Sequence, residues 1–309
     1  MVEDLAGTSR SSSIRQIDTR TSNALSFDVE DYFQVQALSE AYPRERWSAC
    51  ESRVERNTIK LLDLLACART HATFFTLAWV AERYPNLIRR IVSEGHELAS
   101  HGYAHYRVDE QSPEEFRTDI RMAKRILEDC AGTAVIGYRA ATFSVGPTTG
   151  WAFPILEEEG YRYSSSVYPV NSDYHAFPHA PRFAFRPEGT SALWEFPITT
   201  LRAGHQNMPF GGGGYFRLMP YSVFRFGLRR VLARDANPLV FYLHPWEVDP
   251  EQPRPSRVSL KSRARHYLNL TRTEGRLRRL VADFRWDRLD VVFAKNLFPA
   301  DAAGFDPLT

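Results

Sequence analysis

The sequence predicts an α/β fold in which a mainly parallel sheet is covered by helices. From Ala24 onward, short apolar runs typical of buried strands alternate with amphipathic helices. The 309 residues are 43% hydrophobic and 13% aromatic, which is enough to bury a sizeable core. Because no internal repeat is present, we expect one domain, built either as an open doubly wound sheet or as a barrel.

The first half of the chain supplies four of the predicted strands and the clearest helix. The strands are short apolar runs at 24–29, 71–77, 96–100 and 134–138. The helices between them have apolar residues three or four apart: one capped by Asn57 with Ile59, Leu62, Leu65 and Ala66 on one face, one over 84–93, and one over 113–131. In the last of these, Ser112 and Glu115 form a capping box around Pro113, and Gly132 ends the helix.

The second half continues the same alternation with longer connections. A helical segment ends near Gly160, and Thr271 with Glu274 opens a last helix through Phe284. Strands are predicted at 161–165, 193–198, 239–243 and 291–294. The Pro/Gly-rich region at 168–214 is expected to form long loops within the domain, which spans 23–300 and ends in a helical and strand extension. Residues 1–22 are expected to form a flexible tail.

Composition excludes several classes of protein. Lys and Arg number 39 against 37 Asp and Glu, which is too balanced for a protein that coats nucleic acid. The longest apolar stretch, 72–81, is too short to span a membrane, and the first 23 residues lack the apolar core of a secretory signal, so we expect a cytoplasmic protein. The three cysteines are widely spaced and are expected to be reduced: Cys50, Cys67 and Cys130.

Carboxylates cluster at the end of the first predicted strand. Asp28, Glu30 and Asp31 follow one another in Phe-Asp-Val-Glu-Asp, and the carboxyl ends of parallel strands are where ligands bind in α/β folds. If the strand continues through these residues, strand alternation places Asp28 and Glu30 on one side and Asp31 on the other. A solvated loop with a helix-capping acid would give the same residues.

Two histidines follow the third predicted strand. His101 and His105 are four residues apart, so one helical turn would present both imidazoles to a single metal ion. Surface or core histidines occur at this spacing too. Combined with a carboxylate from another strand end, however, two His and one acid form a set that suits a catalytic zinc or similar divalent ion.

Two further residues lie where other strands end. His244 follows the buried run at 239–243, and an imidazole there could donate a proton to a leaving group because its pKa is near neutrality. Arg139 follows the strand at 134–138 and could orient a carboxylate through a bidentate pair. Taken singly, a packed histidine and a surface ion pair explain these residues equally well.

Together these segments resemble the polysaccharide deacetylases of carbohydrate esterase family 4, the NodB homology group. The similar motifs are Phe-Asp-Val-Glu-Asp, His101-Gly-Tyr-Ala-His105, Tyr138-Arg-Ala-Ala-Thr and Tyr242-Leu-His244. The resemblance runs from about residue 25 to 298. It is stronger to the subgroup linked to exopolysaccharide and exosortase loci, through Gly211-Gly-Gly-Gly-Tyr-Phe-Arg and His244-Pro-Trp-Glu.

The resemblance implies a distorted (β/α) barrel of about seven strand-helix units and a divalent metal, zinc being the expected ion. The metal would activate water to remove N-acetyl groups from N-acetylhexosamines of a bacterial polysaccharide or its precursor. Asp28 would be the general base and His244 the general acid. His101 and His105 would be metal ligands.

The sequence departs from the family at two positions. Relatives often have two adjacent Asp residues in the first motif, the second a metal ligand, whereas Val29 follows Asp28 here. An Asp-x-Asp spacing in some relatives points to Glu30 as the third ligand, with Asp31 as the alternative. The second departure is Ser164, where many relatives carry an Asp that serves the acid histidine, so another group must supply that role or it is omitted.

The remaining expectations concern substrate and partners. Gly213 would let backbone approach a ligand, and Tyr215 or Trp246 could stack on a sugar ring, although a flexible loop and core packing are the plain alternatives. The expected partners are an N-acetylated glycan substrate and exopolysaccharide assembly proteins, with no nucleic acid. Two rival functions remain: a small-amide or cyclic ureide hydrolase on the same fold, and a catalytically silent carbohydrate-binding module.

Overall fold

The fold is built on one parallel sheet. The computed structural model describes residues 22–171, 177–256 and 258–298. The strands within these ranges are β1 (Asn23–Val29), β2 (Thr73–Thr76), β3 (Glu97–Ser100), β4 (Gly137–Tyr138), β5 (Tyr163–Ser164), β6 (Trp194–Glu195), β7 (Thr200–Ala203), β8 (Gln206–Pro209), β9 (Val240–Leu243) and β10 (Trp286–Asp287). All of them except β7 and β8, which form a separate antiparallel hairpin, belong to this sheet.

The sheet curves into a distorted barrel of seven parallel strands. Strands β1 to β6 lie side by side in chain order, and β9 pairs with β1. Between β6 and β9 the ring is completed by irregular chain: the Thr199 amide donates to the Val240 carbonyl (3.1 Å), and the Tyr242 amide donates to the Gly211 carbonyl (2.8 Å). Strand β10 is a short addition at the start of β1. The expected barrel of about seven strand-helix units is therefore confirmed.

Helices cover the outside of this sheet. They are α1 (Val54–Ala68), α2 (Ala78–Arg83), α3 (Pro85–Ser93), α4 (Pro113–Ala131), α5 (Ala152–Glu158), α6 (Gly213–Leu218), α7 (Tyr221–Asp235), α8 (Leu260–Tyr267), α9 (Leu270–Asp283), α10 (Leu289–Val292) and α11 (Ala294–Leu297). Helix α4 has the predicted boundaries, with both hydrogen bonds of the Ser112 and Glu115 capping box and Gly132 in the left-handed region. Apolar side chains of the strands and helices form the core.

Two helix starts differ from the sequence-based expectation. Helix α1 begins at Val54, and Asn57 is a buried residue inside it whose amide donates to Asp249. The Asp31 carboxylate, distant in sequence, accepts from the Val54 amide in its place. Helix α9 begins at Leu270, and Glu274 pairs with Lys60 (2.7 Å) rather than closing a capping box with Thr271.

The predicted strand at 291–294 is wrong, because this segment belongs to α10 and α11. Leu289, Phe293 and Leu297 lie four residues apart and are all buried, whereas Val291 is 47% exposed. This is the periodicity of a helix, and an apolar run of four residues is too short to separate the two possibilities.

The remaining expectations about the chain concern its loops and ends. The region at 168–214, of which 172–176 lie outside the described residues, contains β6 within the predicted strand at 193–198. It also contains the β7–β8 hairpin, which the sequence patterns missed. No helix in the described ranges is long and apolar enough to cross a membrane. Cys50, Cys67 and Cys130 are free thiols. The predicted tail lies outside the described residues apart from Ser22.

Candidate active site

The carboxyl ends of five barrel strands converge on one cavity of about 430 Å³. Strand β1 brings Asp28 and Glu30, β3 is followed by His101 and His105, and β9 is followed by His244; all five residues line the cavity. The chain after β4 and β5 packs behind them. The five side chains that the sequence singled out for chemistry thus meet at one end of the barrel, where parallel α/β folds bind their ligands.

Three of these residues form a candidate metal centre. One ligand atom each from Glu30, His101 and His105 lies within 4.8 Å of the other two, and all three side chains are buried. Glu30 Oε2 has no hydrogen-bond donor in the described structure, although His105 Nε2 lies 2.9 Å away. A buried carboxylate oxygen without a donor, facing two imidazoles, fits a divalent cation, and two His with one carboxylate is a usual zinc set.

Hydrogen bonds to the outer atoms orient both histidines. His101 Nδ1 donates to the Arg139 carbonyl (2.8 Å), which leaves Nε2 as the lone-pair nitrogen. Burial lowers the pKa of His101 to about 4, so its ring is neutral at pH 7 and able to bind a metal. The Arg44 guanidinium donates to the carbonyls of Ala104 and His105 (3.0 and 2.8 Å) and fixes the loop that carries His105.

The two histidines do not lie on a helical turn, which corrects the expected local structure. Gly102 and His105 both have positive φ, at 76° and 56°, and the segment is a tight loop. The Tyr103 amide donates to the Asp119 carboxylate of α4 (3.2 Å), which anchors this loop from below. The loop brings the two rings together, with centroids 5.3 Å apart, without any helix.

Burial and neighbouring charge act in opposite directions on Glu30. Burial raises its pKa, but the nearby imidazoles of His105 and His244 outweigh burial and lower the pKa to about 2. Glu30 is therefore an anion at neutral pH. Its second oxygen, Oε1, accepts from the Trp246 indole (3.3 Å) and lies 3.4 Å from His244 Nε2.

The carboxylate of Asp31, the alternative metal ligand, is occupied by hydrogen bonds outside the metal centre. It accepts from the Ser52 hydroxyl (2.8 Å) and from the backbone amides of Tyr32, Arg53 and Val54. It therefore caps a 3₁₀ turn and the start of α1 at once. Asp31 lies beyond the end of β1 at Val29, as the residue that caps the 3₁₀ turn Tyr32–Gln34.

Asp28 forms a buried ion pair with Arg139. Arg139 Nη1 lies 2.6 Å from Asp28 Oδ1, and both side chains are almost inaccessible to solvent. The pair uses one guanidinium nitrogen rather than the bidentate geometry that the sequence suggested, because Nε and Nη2 donate to the carbonyl and hydroxyl of Ser165. Asp28 Oδ2 is left facing His244 Nε2 at 3.8 Å.

The partner of His244 is Glu247, which sequence reasoning missed. His244 Nδ1 lies 2.8 Å from Glu247 Oε1, and Arg217 Nε donates to Glu247 Oε2 (2.6 Å). Burial lowers the pKa of His244, but Glu30, Glu247 and Asp28 outweigh burial and raise it to about 9. The spacing of three residues after a strand end was a usable signal; Arg217, thirty residues away from Glu247, could be found only from the structure.

Ser164 and Gly213 have different surroundings from those expected of site residues. Ser164 donates to the Ser166 hydroxyl (2.7 Å) behind the sheet, so the family's Asp position holds no acid here. A Cβ atom at Gly213 would lie 2.2 Å from the Glu247 carboxylate oxygens. The absent side chain at Gly213 therefore makes room for Glu247 rather than for a ligand.

The two aromatic candidates also differ from one another. Tyr215 lines the mouth of the cavity and is 42% exposed, as a sugar-stacking residue would need to be. Trp246 is only 5% exposed and stacks against both His244 and His266, with ring centroids 5.0 and 4.1 Å apart. With its ring packed in this way, Trp246 holds His244 and Glu30 in place instead of offering a free face.

The architecture defines a fold class, the NodB-like (β/α) barrel. Residues 46–163 match the family model described as polysaccharide deacetylase, and residues 165–294 match a domain of unknown function, DUF3473. A solved structure described as a polysaccharide deacetylase from Mycobacterium smegmatis has a TM-score of 0.57 and 19% identity, covering 93% of this chain and 95% of the other, which shows the shared fold.

Two curated relatives match shorter segments. A peptidoglycan-N-acetylglucosamine deacetylase from Bacillus cereus is 39% identical over 77 residues, 25% of this chain and 28% of its own length. A chitooligosaccharide deacetylase from Bradyrhizobium is 32% identical over 88 residues, 28% of this chain and 40% of the relative. The chain thus spans less than half the length of these relatives. Each match is therefore a local similarity to a protein named as a deacetylase.

Proposed function

We propose that the protein is a metal-dependent N-deacetylase that acts on N-acetylhexosamine residues of a bacterial polysaccharide or its precursor. One observation carries the proposal: the buried, donor-free oxygen of Glu30 faces His101 and His105, with Asp28 and His244 in the same cavity. An acid, a base and a metal centre together are what amide hydrolysis requires.

Glu30, His101 and His105 would hold the ion, zinc being the expected metal. When bound there, a divalent ion supplies Lewis acidity, which polarises the acetamide carbonyl and lowers the pKa of water. The chain supplies the orientation of its ligands: the Arg139 carbonyl fixes the tautomer of His101, and Arg44 fixes the loop of His105.

Asp28 is the proposed general base. Its Oδ1 is held by Arg139 Nη1, so Oδ2 is the oxygen that faces His244 and the cavity. Oδ2 would take the proton from the attacking water as the carbon–oxygen bond forms. The Arg139 pair keeps this carboxylate in one orientation within a buried site, where a mobile base would be less effective.

His244 is the proposed general acid, and Glu247 is the residue that positions it. The Nδ1–H bond to Glu247 leaves Nε2–H directed toward Asp28 and Glu30. Nε2 would donate its proton to the departing amine, which cannot leave as an amide anion at neutral pH. Glu247, itself paired with Arg217, would fill the role that the absent Asp at Ser164 leaves open.

The experiment is acetate release from N-acetylglucosamine oligomers by the zinc-loaded protein. His244→Ala should lower kcat/KM by about 100-fold or more, because proton transfer alone is worth roughly 10² to 10⁴ in rate. His101→Ala should also lower kcat/KM strongly, because it removes a proposed metal ligand. His205→Ala, an exposed histidine in the turn of the β7–β8 hairpin, is the matched control and should retain full activity.

The rival functions give different results in the same experiment. Glycan binding without acetate release would indicate a silent carbohydrate-binding module. Hydrolysis of a cyclic ureide with no acetate from any amino sugar would indicate the small-amide branch. Assembly proteins of an exopolysaccharide system, the other partner implied by the resemblance, would be sought by co-purification from cells that make such a polymer.

A further inference from the structure

The mouth of the active-site cavity is lined by exposed apolar side chains. Leu218, at the end of α6, is 57% exposed, Leu268, just after α8, is 38% exposed, and Tyr215 is 42% exposed. Most large apolar side chains in the described chain are buried, so three exposed ones around a single opening form a local patch. We refer to these three residues as the apolar mouth.

The apolar surface continues inward from the mouth. Val35, Phe143 and Val170 line the cavity between the mouth and the catalytic side chains, together with the Tyr168 ring. Asp28, Glu30 and the histidines form the polar end of the cavity, and a ligand that reaches them passes these apolar side chains.

A hydrophilic polymer does not explain this surface. Sugar rings stack on aromatic faces, and Tyr215 could serve that purpose, but the branched side chains of Leu218 and Leu268 offer no flat face and no hydrogen bond. The leucines and the catalytic side chains line the same cavity, so a group carried by the substrate can cover the leucines. Burying them against hydrocarbon would gain free energy in proportion to the apolar area removed from water.

Positive charge lies beside the apolar mouth. Helix α8 has the sequence Leu-Lys-Ser-Arg-Ala-Arg-His-Tyr, with three cationic residues and no acidic one. Arg265 of this helix lines the cavity. A helix of this composition next to an apolar opening fits an anionic group joined to a hydrocarbon.

We propose that the substrate is an N-acetylated sugar joined through phosphate to a hydrocarbon chain, with the chain covering the apolar mouth and the phosphate facing α8. This inference rests on the proposed deacetylase function, which it narrows from a free polymer to a lipid-linked precursor. The sugar enters first, so that its acetamide reaches Asp28 and His244 while the hydrocarbon remains at the mouth.

The test compares three soluble ligands below their critical micelle concentrations: methyl N-acetylglucosaminide, octyl N-acetylglucosaminide and N-acetylglucosamine 1-(octyl phosphate). Dissociation constants are measured by calorimetry, and acetate release is measured in parallel. Full burial of a methylene strengthens binding about fourfold, so partial burial of the octyl chain should still tighten binding at least tenfold over methyl. The phosphate should tighten it further, and that gain should shrink between 0.05 and 0.5 M NaCl because salt screens the attraction.

Matched variants assign the effect to the mouth. Leu218→Ser and Leu268→Ser should each reduce the ratio of octyl to methyl affinity. Leu260→Ser is the control, since this leucine of α8 is 85% exposed and does not line the cavity; it should leave the ratio unchanged. Circular dichroism and unfolding curves establish that each variant is folded.

The outcomes separate this inference from the proposed function. Equal affinity and equal acetate release for methyl and octyl ligands would be compatible with the proposed deacetylase function but would rule out recognition of a hydrocarbon chain. Tighter octyl binding without acetate release from any ligand would support hydrocarbon binding at the apolar mouth but would rule out the proposed deacetylase function. If the phosphodiester binds no better than the octyl glycoside, the proposed contact between a phosphate and α8 is ruled out. Concentration-dependent dimerisation abolished by Leu218→Ser would assign the patch to a second copy and overturn the proposal.

Discussion

Asp28→Asn is expected to destabilise the protein as well as to remove its activity. Asp28 and Arg139 are a buried ion pair with 2.6 Å between Oδ1 and Nη1. The substitution leaves the guanidinium as a buried charge without its counterion. A loss of activity with unchanged stability is therefore not the expected outcome for this variant.

The size of the effect follows from the contacts that remain. Removing one partner of a buried ion pair costs about 3–5 kcal/mol. Arg139 keeps its bonds to Ser165 and to the Ser26 hydroxyl, and an asparagine oxygen can still accept from Nη1. We therefore expect a loss somewhat below this range, about 2–3 kcal/mol in the free energy of unfolding.

The assay is urea unfolding of the metal-free protein followed by tryptophan fluorescence. Asp63→Asn is the matched control, because Asp63 also pairs with an arginine but is 63% exposed, and it should change stability by less than about 0.5 kcal/mol. The double variant Asp28→Asn with Arg139→Met should lose less free energy of unfolding than the two single variants lose when their losses are added. If the free energy of unfolding of Asp28→Asn lies within about 0.5 kcal/mol of the wild-type value, the Asp28–Arg139 pair does not stabilise the fold as expected.

Three further predictions concern the positioning residue Glu247, the choice between Glu30 and Asp31 as third metal ligand, and the buried acid Glu97. Glu247→Gln removes a charge that raises the pKa of His244, so the alkaline limb of the pH–kcat/KM profile should move to lower pH, by roughly one unit for each 1.4 kcal/mol of lost interaction; an unmoved limb would contradict the positioning role. Asp31→Ala should lower the unfolding free energy by about 2 kcal/mol or more, because it orphans several backbone amides, yet leave zinc affinity unchanged. Glu30→Gln should instead weaken zinc binding at least tenfold in calorimetry, and the reverse pattern would make Asp31 the ligand. Burial raises the pKa of Glu97 to about 8, so the folded state keeps a proton that the unfolded state releases near pH 4.5. The free energy of unfolding should therefore fall as the pH rises from about 5 to 8. In urea unfolding, Glu97→Gln should flatten this decline.

Local patterns predicted those parts of the fold that local interactions determine. The capping box of Ser112 and Glu115 and the C-terminal Gly132 are complete within one helix, so its boundaries were predictable. Helix α1 was misplaced because its N-terminus is capped by Asp31, a residue more than twenty positions earlier. The segment at 291–294 was misassigned because its burial depends on which side faces the barrel.

The candidate site shows the same division. Strand alternation predicted that Asp28 and Glu30 lie together and Asp31 apart, and the structure has this arrangement although β1 already ends at Val29 and Asp31 caps the following 3₁₀ turn. The role of Trp246 could not be anticipated, since its burial depends on His266 packing from a distant helix. Likewise the support for His244 comes partly from Arg217, whose proximity results from the way α6 packs beside β9.

The proposed metal centre is tested most directly by an anomalous difference map from a crystal of the protein grown with zinc. One strong peak is expected in the barrel, contacted by Glu30 Oε2 and by the imidazoles of His101 and His105, with Asp28 and His244 nearby. No peak there, or a peak held by Asp31 instead of Glu30, would rule out this metal centre.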